Sequence, residues 1–341
     1  MIRKTDFIRD KLLADLLEHG LKPGDPIPSR HQLCRKFNCS RTTVERAIGE
    51  LTASGYLCSR QGAGTFVNQP HPVKGIHTLY VAAENLQKEP DTNTLLREML
   101  FPDIKPGFEI VGVSVTDLSA HFSKICLPGS AVLWFMPSMS CIQLMDYLES
   151  ANVPQFLINR KYKNFNYAVT DARNSIKEGL SWLMIEGGRD ITLIAQEADT
   201  MHPYQYDRIL AFFQAAVELG ARLSPDSIHI RNFKDVPEEI AEIANQIFHT
   251  PSPARAVFIL DSKLTVPFVT AARSIHFALG RDYSLLNFDC EESLAGHPGA
   301  AMLSQQWKQL YYEALRWVSD GYAEKRKPFY SNIKTRLILP R

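Results

Sequence analysis

SRTTVERAI, residues 40–48, opens a helix with residues that helix propensity alone would not choose. Ser and Thr stand where Ala or Glu would favour the helix more. Ser40 reads as an N-cap, its hydroxyl accepting from an open N–H of the first turn. Beyond it Val44, Ala47, Ile48 and Leu51 recur at i, i+3, i+4 and i+7, so they share one buried face. Arg41, Thr42, Thr43, Glu45 and Arg46 therefore lie mostly off the core. That polar face is either a solvated helix start or a recognition surface. In the second case open N–H groups, hydroxyls and guanidinium groups reach phosphates and base edges.

The flanking residues decide between the two. A first helix runs from about Thr5 to His19, with Ile8, Leu12, Leu13, Leu16 and Leu17 inward, and Gly20 ends it. LKPGDPIPS (21–29) follows, too rich in proline for regular structure. Ser29 caps a short second helix, RHQLCRKF, with Leu33 and Phe37 inward, and Asn38-Cys39 form the turn into the third. YLCSR and GTFVNQ then read as two strands around Gln61-Gly62-Ala63-Gly64, a glycine-rich hairpin tip. Helix, turn, helix and β-wing is a DNA-reading layout. Residues 1–68 also hold an excess of Lys and Arg over Asp and Glu, within a chain of 341 residues whose net charge is only +1. A small basic head on a neutral body follows from that imbalance.

The run LKPGDPIPS, CSRTTVERAI, SGYL and RQGAGTFV resembles the N-terminal domain of GntR-family bacterial repressors, over about residues 3–68. The resemblance implies a winged helix-turn-helix whose third helix enters the major groove and whose wing tip touches the minor groove. It assigns DNA contacts to Ser40, Arg41, Thr42 and Thr43, with Arg46 beside them, and to Gln61 and Gly62 at the wing tip. Two departures stand out. Arg30-His31 replaces the family's usual Glu-Arg after Pro28-Ser29, and Glu45 stands where the family usually has Arg. Glu45 either accepts from a cytosine amino group or faces solvent, and the solvent reading is preferred. These departures bear on which operator is read.

The remaining composition narrows the class. Apolar residues make up 45% and charged residues 22%, the balance of an ordinary soluble globular protein. The N-terminus lacks the apolar core of a signal peptide, and no apolar run is long enough to span a bilayer. The six cysteines form no C-x-x-C pair, which points to reduced thiols in a cytoplasmic protein and against zinc.

NQPHPVKG (68–75) reads as an interdomain linker, within expected domains of 1–68, 69–75 and 76–341. Beyond it, apolar strand-like segments at 77–83, 109–115, 131–137, 154–160, 190–196, 227–233, 256–261 and 283–289 alternate with amphipathic helices. That alternation predicts an α/β body with parallel sheets covered on both faces. Ligands in such sheets bind beyond the carboxyl ends of the strands. Ser138, Arg160, Asp261 and Asp289 end strands or follow them.

The order of these pieces resembles the effector domain of LacI/galactose-repressor proteins, built like type 1 periplasmic sugar-binding proteins. A GntR-type head on such a body is similar to the arabinose-repressor group. The resemblance implies two Rossmann-like lobes joined by three crossovers and closing on a small molecule. By analogy the first lobe holds about 76–159 and 303–320, and the second 160–302 and 321–341. It matches Arg208 in YDRILAFF, Asp289 in LLNFDC and Gln305 in MLSQQW to effector-contacting positions. Asp261 matches a place where the family often has Asn-Asp, but Leu260 precedes it here. Ser138 and Arg160 are further cleft candidates. Trp134, Phe135, Tyr204 and Tyr206 could stack on a sugar, though aromatics in such segments are more often core.

The expected function is a repressor that binds a double-stranded DNA operator as a homodimer and responds to a small-molecule effector, a sugar or sugar derivative. No cofactor, metal or membrane is expected. The competing class is an enzyme with an appended DNA-binding head of the pyridoxal-phosphate type. No Schiff-base lysine candidate, H-E-x-x-H, G-x-S-x-G or Walker A pattern supports it.

Overall fold

The computed structural model describes residues 8, 12, 24–53, 57–60, 62–67, 75–84 and 108–340. Within the head, Ile8 and Leu12 are helical and buried; the rest of the expected first helix and most of the linker lie outside the described residues. Helix α1 (Arg30–Phe37) starts at a capping box, in which the Ser29 hydroxyl accepts from Gln32 N–H and the Gln32 side chain accepts from Ser29 N–H. Asn38 ends it in the left-handed region at φ 45°. Helix α2 (Arg41–Ala53) follows at once. Leu33, Val44, Ala47, Ile48 and Leu51 are buried together with Leu57.

Strands β1 (Leu57–Arg60) and β2 (Gly64–Val67) pair antiparallel, Leu57 opposite Val67 and Arg60 opposite Gly64. The proline-rich approach is more regular than its composition predicts. Gly24 N–H donates to Val67 O, Val67 N–H to Asp25 O and Ile27 N–H to Thr65 O, so residues 24–27 run as a third edge against β2. Pro26 is tolerated because the donors this edge needs come from the residues on either side of it.

The chain divides into two compact units, Met1–Pro137 with Cys141–Tyr167 and Tyr311–Tyr330, and Ser138–Ser140 with Ala168–Leu310 and Ser331–Arg341. The first unit contains β3 (Thr78–Ala83), β4 (Glu109–Ser114), β5 (Ser130–Phe135), helix α3 (Ile142–Ser150) and β6 (Gln155–Ile158). Strand β7 (Asn166–Thr170) spans the division. The second unit runs through helix α4 (Ala172–Gly187), β8 (Ile191–Gln196), α5 (Tyr204–Leu219), β9 (Ile228–Arg231), α6 (Val236–Phe248), β10 (Ala256–Ile259), α7 (Ser262–Ser274), β11 (Ser284–Phe288) and β12 (Ala300–Ser304). Helix α8 (Trp307–Ser319), β13 (Tyr330–Ile333) and β14 (Arg336–Ile338) complete the described chain.

The two six-stranded sheets have the same order, β13-β7-β6-β5-β3-β4 and β14-β12-β11-β10-β8-β9. Pairs β3–β4, β3–β5, β5–β6, β8–β9, β8–β10, β10–β11 and β11–β12 are parallel, and β14 is antiparallel to β12. This is the doubly wound arrangement, whose order reverses at β3 and at β8. Both faces of the second sheet are covered. Ile191, Leu193 and Phe258 pack with Ile176, Leu180 and Phe212 from α4 and α5. Ile194, Val257 and Ile259 pack with Ile243, Ala244 and Phe268 from α6 and α7. In the first unit Trp134 is core, its indole N–H donating to Gln155 Oε1 at 2.9 Å while Gln155 Nε2 donates to Met145 O.

The divisions fall later than the lobe boundaries read from the sequence, near 167, 310 and 330 rather than 159, 302 and 320. The cause is the set of strands the sequence pattern did not single out. β7 keeps the chain in the first sheet after β6, residue 302 lies inside β12 of the second sheet, and β13 returns the chain to β7.

Candidate functional site

In the head, Ser40 caps α2 as expected. Its hydroxyl accepts from Thr43 N–H at 3.3 Å and lies 2.7 Å from the Thr43 hydroxyl. Arg41, Thr42, Glu45 and Arg46 are exposed on α2, and Arg30 and His31 stand at the start of α1. Arg41 Nε donates to Glu45 Oε1 at 2.9 Å, and Arg30 Nε is 3.9 Å from the same oxygen. Gly62 turns the wing at φ 77°, a backbone conformation that suits glycine. Gln61 lies outside the described residues. Behind the wing, the Arg60 guanidinium covers the Phe66 ring at 5.1 Å.

In the second unit, four of the six candidate effector residues meet beyond the carboxyl ends of β8, β10, β11 and β12. Arg208, in the second turn of α5, is buried. It donates from Nη1 to Leu260 O at 2.9 Å and from Nη2 to Asp289 Oδ2 at 3.3 Å. Its guanidinium lies 3.9 Å from the Phe288 ring centroid and 4.7 Å from that of Tyr204, within cation–π range of both rings. Gln305 Nε2 donates to Asp289 Oδ1, and the Thr170 hydroxyl donates to Gln305 Oε1 at 2.7 Å. Asp261 caps α7 by accepting from Lys263 N–H at 3.0 Å, and its other oxygen accepts from Gln205 Nε2 at 2.9 Å. Asn287, fully buried, accepts from the Thr265 hydroxyl at 2.6 Å and donates to Asp289 O at 3.0 Å.

This arrangement favours neutral polar ligands. Arg208 is already matched by Asp289, while the Asp289 carboxylate keeps lone pairs beyond its two donors and can accept ligand hydroxyls. Gln205 is fully buried, and its Oε1 has no hydrogen-bond partner. Such an acceptor is costly to leave unmet.

In the first unit, Arg160 follows β6, is buried, and donates from Nη1 to Asn159 O at 2.7 Å. It also hydrogen-bonds the Tyr162 hydroxyl, which donates to Pro137 O at 2.8 Å. Burial pushes the Tyr162 hydroxyl up to about 12, against the opposing pull of Arg160. The Cys141 thiol donates to Glu84 Oε1 at 3.4 Å beside them. Ser138 is also buried, but its segment packs with the second unit. Its hydroxyl lies 2.6 Å from that of Ser140, and Met139 N–H donates to Thr200 O.

One backbone feature recurs. Met136, Asn159 and Asp289 each follow the last residue of a strand, β5, β6 and β11, and each has positive φ, at 46°, 54° and 81°. Non-glycine residues pay for that region, and such strain gathers where side chains must be aimed at a site.

Sequence reading missed Gln205, Thr170, Asn287, Glu84 and Tyr162. Thr170 and Asn287 carry a weak signal, as polar residues at or near the ends of apolar strands. Of the aromatics, Tyr204 lies against Arg208, whereas Tyr206 is exposed. All six cysteines are free thiols, and among the described residues no group of three or more His, Cys, Asp or Glu could hold a metal ion.

Comparison with known proteins agrees with both halves. Residues 4–67 match the family of bacterial regulatory proteins, gntR family. The chain carries a GntR-family head on a body of LacI-type fold. The arabinose metabolism transcriptional repressor of Halalkalibacterium halodurans is 24% identical over 319 residues, which span 85% of this chain and 81% of the relative. The repressor of the same description from Geobacillus stearothermophilus is 31% identical over 102 residues, but that alignment spans only 26% of its length. Among solved structures, a LacI-type transcriptional regulator from Bacillus cereus subsp. cytotoxis superposes with a TM-score of 0.59 at 16% identity, covering 78% of this chain and 98% of that one. The transcriptional regulator CelR in complex with cellobiose does so with a TM-score of 0.60 at 17% identity, covering 88% and 90%. The LacI-type body thus follows from shape, and the GntR-type head from sequence.

Proposed function

We propose that this chain is a transcriptional repressor that binds operator DNA as a homodimer in the cytoplasm and is controlled by a neutral sugar. The polar cluster Arg208–Asp289–Gln305, joined by Asp261 and Gln205, carries the reading. It combines a held guanidinium, an open carboxylate and an unmet buried acceptor at the strand ends where doubly wound sheets take ligands. A pentose is the first sugar to test, because the relative aligned over most of the chain is named for arabinose metabolism. Cellobiose, bound by one structural neighbour, is the second.

Arg41, Thr42, Thr43 and Arg46 on α2, Arg30 and His31 on α1, and Gln61 and Gly62 of the wing are the proposed DNA contacts. One head buries too little surface for tight specific binding, so two heads read a two-fold related site. Effector control requires that the sugar bind the DNA-competent and incompetent arrangements with different affinity. Among the described residues no helix is long and apolar enough to cross a membrane.

The test has two parts. Thermal unfolding against a panel of pentoses, hexoses, disaccharides and sugar phosphates identifies the ligand. A sugar at a hundredfold its Kd stabilises its unit by about 2.7 kcal/mol. Binding to duplex DNA selected from a random pool is then measured with and without that sugar. A stabilising sugar that leaves DNA affinity unchanged would refute the regulatory reading.

A further inference from the structure

Arg41 and Glu45 lie one turn apart on the outer face of α2, and Arg30 approaches from the first turn of α1. The two guanidinium groups converge on Glu45 Oε1, at 2.9 and 3.9 Å. All three side chains are open to solvent, 77%, 46% and 38% exposed for Arg41, Glu45 and Arg30. Among the described residues no hydrogen bond is formed to Glu45 Oε2 or from the terminal Nη groups of Arg41.

Stability does not account for the carboxylate. An exposed i, i+4 pair contributes only tenths of a kcal/mol. On a face that approaches phosphates, a carboxylate is repelled unless it is neutralised. Here two cations hold it, so the trio keeps a net positive charge while offering an acceptor beside a donor fork. In the major groove a C·G pair offers the complementary edge, the cytosine N4 amino donor beside guanine O6 and N7.

We infer that Glu45 determines base specificity in the head: Oε2 accepts from a cytosine N4 amino group while Arg41, oriented by Oε1, donates to guanine O6 and N7 of the same or the neighbouring pair. A thymine O4 or a guanine O6 at the cytosine's place would meet the carboxylate as a second acceptor. Glu45 therefore rejects wrong bases as well as accepting the right one. The inference rests on the reading of the head as an operator-binding domain, and it selects base contact over solvent for Glu45.

The experiment uses the full-length protein and a pool of duplexes with a randomised core, selected in parallel with wild type, Glu45→Ala and Glu45→Gln. Glu45 is exposed, so both variants keep the fold, which their unfolding temperatures check. Wild type is expected to enrich cytosine at one fixed position of each half-site. Glu45→Ala retains or gains affinity for average sequences and loses about tenfold or more of that preference. Glu45→Gln moves the preference to adenine, because an amide pairs with adenine N6 and N7. The same base preference in all three proteins overturns the inference. So does a Glu45→Ala variant that weakens every sequence equally, since Glu45 would then only support Arg41. Failure of wild type to enrich any sequence would overturn the operator-binding reading itself, and the inference with it.

Discussion

Arg208 and Asp289 meet at 3.3 Å across 81 residues of chain, the guanidinium almost fully buried and the carboxylate a quarter exposed. The arginine is therefore the fixed partner and the aspartate the one turned outward. Asp289→Ala is expected to reduce sugar affinity about tenfold or more, through loss of a charged hydrogen-bond acceptor, and to lower the unfolding temperature of the sugar-free protein as well, because the buried Arg208 guanidinium is left without its counter-charge. Arg208→Ala should also lower both, since it strips the Leu260 carbonyl and the Asp289 carboxylate of their shared donor at about 1–3 kcal/mol, but it should cost less stability than Asp289→Ala, because the carboxylate it leaves is a quarter exposed and can be solvated. Calorimetric titration and thermal unfolding separate the two effects. Equal losses of stability in the two variants would count against this division of labour.

The Arg41 side chain is 77% exposed, more than those of Arg46 and Arg30 in the neighbouring ion pairs. Removing a phosphate contact weakens DNA binding and flattens its salt dependence, whereas removing a base contact weakens binding and relaxes sequence preference. Arg41→Ala is expected to weaken binding to a selected duplex about tenfold or more, measured by fluorescence anisotropy at several salt concentrations. Ser40→Ala acts differently. It removes the acceptor of Thr43 N–H and should lower head stability by about 1 kcal/mol. An Arg41→Ala protein with wild-type affinity would remove α2 from the DNA surface.

Much of this was legible in the sequence, and what was missed shares a cause. Punctuation by Ser29, Asn38, Ser40 and Gly62 located the head's helices and wing, because capping and turn chemistry are local. Asp261 and Asp289 were legible because each closes a continuous apolar strand. Gln205 and Asn287 were not, because their partners, Asp261 and Thr265, come from distant chain segments. Strands β13 and β14 escaped notice because they are short and only partly buried at sheet edges, and β7 because only two of its five residues are buried. With β7 unread, the first lobe boundary was set too early. Glu84 had no visible partner, since Cys141 lies 57 residues away.

Two glycines in helices give opposite expectations. A Cβ on Gly179 of α4 would lie 2.8 Å from Leu286 Cδ2 and 3.0 Å from Leu303 Cδ2, so these two buried leucines would have to shift to admit it. Gly179→Ala should destabilise by about 1–3 kcal/mol through overpacking. A Cβ on Gly49 of α2 meets nothing within 4 Å. Gly49→Ala should stabilise the head by about 0.5–1 kcal/mol. Denaturant midpoints decide both, and the same sign for the two substitutions would contradict the packing described.

His229 on β9 gives the second unit a pH dependence. It is buried, its Nε2 has no hydrogen-bond partner, and its pKa lies below the ordinary 6.5 because burial disfavours the charged ring and Arg231 repels it, partly offset by Asp226. In the unfolded chain the same imidazole takes its proton near 6.5. From there down to the native pKa the unfolded state binds more protons, so stability rises with pH across that window. The cost is absent above the unfolded pKa and grows as the pH falls below it. Unfolding midpoints of wild type and His229→Gln, measured from pH 8 to pH 5 (roughly the range in which imidazole titrates), should diverge on the acid side, with the wild type falling more steeply. Parallel curves would mean that the proton is accommodated in the native sheet, contrary to the burial of this ring.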